Sequence, residues 1–135
     1  ISRHLSRDGR IPESHRRIAR LVLLDAYQPV SSGRMQVPDT VDQVLSVRHS
    51  AAPDHDCSRY SPLGPYLGFA PICGPSSECH DYDYSQSPDE LFIGSDGGAL
   101  YGDDVGHCDV PYMAEAAVVN FLNDEPFDDT LPTEL

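Results

Sequence analysis

The chain has 135 residues and a formal charge of −13, with 22 acids set against nine basic residues, every one of them Arg. That length suits one domain of roughly 100 to 150 residues. The acidic balance excludes a general nucleic-acid binder, which needs a basic face against phosphates, and no apolar run approaches the roughly 20 residues of a bilayer-spanning helix.

Charge divides along the chain. Residues 1–20 carry six Arg against Asp8 and Glu13, a balance of +4, whereas residues 21–135 hold three Arg against twenty acids, a balance of −17. Sixteen of the acids are Asp, and an Asp excess without Lys fits a halophile-like or a secreted protein whose surface it keeps solvated. Residues 1–20 lack the apolar stretch of a secretory signal. Residues 1–9 read as the end of a helix closed by Gly9, so the sequence is expected to be a cut or processed piece.

The first clear element is the aliphatic run 18–25, Ile-Ala-Arg-Leu-Val-Leu-Leu-Asp, whose continuity predicts a strand buried on both faces of a parallel sheet. Gln28-Pro29 stops it, and residues 31–40, with Gly33 and Pro38, read as a loop. Residues 41–48 supply a second strand. From 49 to 88 the chain is rich in Pro and Gly and holds Cys57, Cys73 and Cys79, so regular structure should be sparse. Residues 90–94 read as a third strand, with a glycine-rich turn from Ser95 to Gly98. A helix follows, with Asp109 or the preceding turn as its cap, Pro111 in its first turn, and Ala114, Ala117, Val118, Phe121 and Leu122 on one face. Asn123 and Pro126 end it, and residues 124–135 are expected to be an extended or disordered acidic tail.

The order of these elements carries the chemistry. A buried strand ends at Asp25, a second leads to Asp54 and Asp56, and a third leads to Gly106-His107 with an amphipathic helix behind. Loops at the carboxyl ends of parallel strands bring such groups together. Gly106-His107-Cys-Asp-Val-Pro-Tyr-Met before Ala114-Glu-Ala-Ala-Val-Val-Asn-Phe-Leu122, and Arg16-Arg-Ile-Ala-Arg-Leu-Val-Leu-Leu-Asp-Ala-Tyr-Gln-Pro29, resemble the C-terminal half of an α/β-hydrolase of the lipase or esterase kind. The resemblance implies an α/β fold over residues 1–123: about three parallel strands, a long Pro- and Cys-rich loop, and a closing helix. It also implies His107 as general base, with Asp54, Asp56 or Asp25 as the acid; the first two rank higher because Asp25 also suits a structural role at a strand end. The family's Gly-x-Ser-x-Gly elbow is absent from the sequence. The nucleophile is therefore expected on a missing N-terminal segment or a second chain, with an ester or lipid-like substrate and no activity in this chain alone.

Cys57, Cys73, Cys79 and Cys108 are even in number and lie among Pro, Gly and Ser, as disulfides of an extracellular domain do. Three connectivities are open; Cys73 with Cys79 would close a small loop and leave Cys57 to join Cys108. A zinc site using these cysteines with His55, His80 or His107 is an alternative without the usual Cys-x2-Cys spacing. Asp81, Asp83, Ser85, Ser87 and Asp89 alternate like the start of a calcium loop, but Gln86 replaces its turn glycine and Phe92 stands where its bidentate Glu belongs. No cofactor is therefore assigned, and calcium stays an open alternative. Tyr60, Tyr66, Phe69, Tyr82 and Tyr84 are eligible to line an apolar substrate mouth or to anchor the long loop. The competing reading of the whole chain is an acidic, disulfide-stapled binding or structural module in which His107 has no catalytic role.

Overall fold

The computed structural model describes residues 9–12, 15–26, 34–51, 53, 57 and 66–131. It contains mixed α/β structure: a three-stranded parallel sheet, a small antiparallel hairpin and two short helices. Strands β1 (Ile18–Leu24), β2 (Val41–Arg48) and β3 (Glu78–Asp83) lie in the order β1-β2-β3. Their register pairs Leu24 with Val47 and Arg48 with Asp83, so all three carboxyl ends finish along one rim of the sheet.

Aliphatic residues on both faces of β1 and β2 give the sheet two cores. In one cluster Leu23, Val41 and Val44 pack with Val37, backed by Ile18, Leu21 and the cysteines Cys73 and Cys79. In the other, Leu45, Val47, Tyr82 and Tyr84 meet Val105, Val110, Ala114 and Phe121, with Val22 and Leu24 against them. Burying such a side chain contributes about 1.5–3 kcal/mol, so β2, whose Val41, Val44, Leu45 and Val47 are fully buried, is the centre of the fold.

The third parallel strand is not the one the composition suggested. It is β3, Glu-Cys-His-Asp-Tyr-Asp, inside the stretch expected to lack regular structure. Residues around 90–94 instead form β4 (Leu91–Ile93), which pairs antiparallel with β5 (Ala99–Tyr101). Gly97 at φ +80° makes the turn between them, a left-handed conformation that glycine adopts without penalty. Phe92 and Leu100 pack on the core, while Leu91, Ile93 and Tyr101 point outward.

The closing helix comes in two pieces, α1 (Asp109–Met113) and α2 (Glu115–Leu122), joined at the buried Ala114. Val110, Ala114, Ala117 and Phe121 form its inner stripe; Leu122, expected on that face, is half exposed. The acidic tail is not extended over its described part. Phe127 sets its ring against Phe121 and His80, residues 128–130 make a turn of 3-10 helix, and Leu131 also packs on the core.

Candidate functional site

The rim where the parallel strands end gathers a buried carboxylate and two histidines. Asp25 follows β1 with φ +47°. Asp and Asn are among the few side chains that accept this left-handed region. Its backbone N–H donates to Val47 O at 2.7 Å, which ties the turn to β2. Only 2% of the residue is exposed.

Each carboxylate oxygen has its own partner. Oδ1 accepts from the backbone N–H of His49 at 3.2 Å and lies 2.8 Å from His49 Nδ1. Oδ2 is in close hydrogen-bond contact with His107 Nδ1. An ionised carboxylate only accepts, so both imidazoles must carry a proton on Nδ1. For His107 that choice of tautomer makes Nε2 the nitrogen that takes up a proton.

Two further elements hold this arrangement. Residues 66–69 cross the strand ends, where Gly68 N–H donates to His49 O at 3.0 Å and Phe69 N–H to Ala26 O at 3.1 Å. A Cβ added at Gly68 would stand 2.4 Å from Asp25 Oδ1, so only glycine fits against the carboxylate. Tyr66 in the same segment sets its ring edge-on to His107, with centroids 5.3 Å apart. Arg48, next to His49, is paired with Asp81 and Asp83 at 3.0 Å each. Burial works against its charge, but the hydrogen bond to Asp81 and the fields of Asp81, Asp83 and Asp25 prevail and raise its pKa above the usual value. The buried acid thus has a permanent cation close by.

The His107 loop is anchored from below. Asp109, the first residue of α1, accepts from Ser95 N–H at 2.9 Å, Ser95 Oγ at 2.8 Å and Gly106 N–H at 3.1 Å. The expected cap is therefore a carboxylate inside the first turn that also clamps the hairpin tip, and it favours the positive end of the helix. Cys108 is bonded to Cys57, and Cys73 to Cys79, so no cysteine is left for zinc. His107 itself keeps 34% of its side chain exposed beside the buried acid.

Of the acids eligible from sequence, Asp25 is the one the described structure brings to His107. Asp54 and Asp56 lie outside the described residues, as does Tyr60. Tyr82 and Tyr84 are core residues rather than lining for a substrate mouth. Asp81 and Asp83 belong to a strand and pair with Arg48, and among the described residues no group of three or more His, Cys, Asp or Glu is placed to hold a metal. Tyr66, one of the aromatics eligible from sequence, lies against His107, whereas His49 was missed as a neighbour of the site. The available signal for His49 was its position just past the second strand, one strand over from Asp25.

No family model, no curated protein and no solved structure matches this chain.

Proposed function

We propose that this chain supplies the general base and the acid of a serine hydrolase of the α/β-hydrolase, lipase or esterase type. The observation that carries this reading is the contact between His107 Nδ1 and the buried carboxylate of Asp25 at the carboxyl rim of a parallel sheet. Asp25 takes the place of the acid and holds His107 in the tautomer whose Nε2 accepts a proton. The nucleophilic serine comes from a segment or chain outside these 135 residues, because the sequence has no Gly-x-Ser-x-Gly elbow.

In the reaction, Nε2 of His107 takes the serine hydroxyl proton as its oxygen attacks the ester carbonyl, and the Asp25 carboxylate stabilises the imidazolium so formed. The same proton passes to the departing alcohol as the acyl-serine forms. A water then attacks the acyl carbon as Nε2 takes its proton, and that proton passes to the serine oxygen as the acyl-serine bond breaks and the carboxylic acid product leaves. Two disulfides and an acidic, Lys-free surface suit an enzyme working in an oxidising, extracellular setting.

Fluorophosphonate labelling of the native material with intact-mass detection tests this. A single label on a serine of an associated segment or chain is expected, lost in His107→Asn. Native material in which no chain takes up the label would leave the binding-module reading in its place.

A further inference from the structure

We infer that His49 is a positioning residue, holding the Asp25 carboxylate in the one orientation that serves His107. This rests on the hydrolase reading for its purpose, but its geometry stands by itself. A carboxylate at a strand end has a free rotation about its Cβ–Cγ bond, and either oxygen, or a point between them, can face a neighbouring imidazole. Here rotation is stopped at two points on one oxygen: the backbone N–H of His49 at 3.2 Å and its ring Nδ1 at 2.8 Å both converge on Oδ1. Oδ2 is thereby left for His107.

The surroundings favour a clamp over an incidental contact. His49 has no exposed surface, so its ring cannot swing out to solvent. Its backbone is held at the end of β2, the central strand, and its carbonyl accepts from Gly68 N–H at 3.0 Å. Gly68 in turn packs against Oδ1 so tightly that a Cβ there would stand 2.4 Å from it. The carboxylate is therefore enclosed by a ring, a backbone amide and a glycine, and a strand carries the ring. Holding reacting groups this way matters because a displacement of about 1 Å can cost on the order of 100-fold in rate.

The test compares His49→Leu with His49→Asn in the native protein. Asn places an amide N–H at the same bond distance from Cα as Nδ1, so it can restore the donor, whereas Leu fills space without one. Labelling by a fluorophosphonate should slow about 100-fold in His49→Leu and recover most of the rate in His49→Asn, with both variants folded as judged by near-UV circular dichroism. Nitrogen-15 NMR of the wild type adds a readout that needs no enzyme activity: His49 should be protonated at Nδ1, with a low-field, slowly exchanging N–H. A folded His49→Leu variant that labels at the wild-type rate would overturn the inference, and so would equal loss in both variants. A wild-type His49 protonated only at Nε2 overturns it even if neither variant folds. Wild-type material that takes no label sinks the hydrolase reading instead, leaving the tautomer result to decide the clamp.

Discussion

On the proposed hydrolase reading, replacing Asp25 with Asn separates the charge of the carboxylate from its shape. Asn is one of the few residues that tolerates the left-handed backbone found there, at φ +47°, so the turn after β1 should survive, whereas Asp25→Ala would add strain. The surrounding donors also decide how the amide sits. The backbone N–H of His49 can only donate, and it points at Oδ1. The Asn carbonyl must therefore take the Oδ1 place, and its NH2 group is turned toward His107 Nδ1. That forces His107 into the tautomer with its proton on Nε2, where it can no longer act as a base. Loss of the correct tautomer in a hydrolytic triad costs about 10⁴ in kcat, or about 5 kcal/mol of barrier. Stability should fall by only about 1.5–3 kcal/mol, the contribution of a charge-assisted hydrogen bond. Burst-phase kinetics with a nitrophenyl ester on the native material would give kcat, and urea denaturation would give stability. A folded Asp25→Asn enzyme retaining more than a tenth of its kcat would refute the assignment of Asp25 as the acid.

Gly68→Ala drives a methyl to 2.4 Å from Asp25 Oδ1 and 2.6 Å from Arg48 Cβ; it should destabilise by about 1–3 kcal/mol and slow fluorophosphonate labelling, and unchanged values in both assays would contradict the close packing. The two disulfides should differ in worth. Removing Cys57–Cys108, which spans 51 residues, should cost about 4 kcal/mol, and removing Cys73–Cys79, which spans 6, about 2 kcal/mol by chain entropy, with guanidinium unfolding of the paired Ser variants as the check; the reverse order would rule out that account. Burial, and then the neighbouring Tyr82, push the Tyr84 hydroxyl above its usual pKa of 10.0. The unfolded chain then ionises first, so this contribution is intact below about pH 10 and is lost as pH rises toward the folded value. Tyr84→Phe should flatten the alkaline loss of stability, and an unchanged profile between pH 9 and 12 or so would argue against it.

What could be read from the sequence followed from how strongly each segment signals its surroundings. Strands β1 and β2 are aliphatic because both faces are covered, and their bounds are legible to within a residue. Strand β3 is not, since it pairs on one side among the described strands and only Tyr82 and Asp83 of its six residues are buried; Glu78, Cys79, His80 and Asp81 leave no period to detect. Strand character at Leu91–Ile93 was visible, but its direction depends on Ala99–Tyr101, three residues beyond the glycine-rich turn that are too few to show a strand period. The same limit applies to the site. His107 before an amphipathic helix is a local signal. Asp25 was eligible but ranked low, because neither its left-handed φ nor its three donors appear in the residues flanking it. His49 becomes a neighbour of Asp25 only once the register of β1 on β2 is known.

The disulfide between Cys57 and Cys108 has a consequence for the order in which the molecule assembles. Asp25 and His107 are 82 residues apart, whereas Asp25 and His49 are only 24 apart. Loop closure grows as about (3/2)RT ln n, so bringing His107 home costs about 1 kcal/mol more entropy than pairing Asp25 with His49. A bond from Cys57 to Cys108 cuts that path to about 33 residues and removes most of the difference. Oxidation therefore shortens the chain path between the histidine and the carboxylate. With both cysteines reduced, the contact between Asp25 and His107 would have to form across the full 82 residues and would carry that extra closure entropy of about 1 kcal/mol.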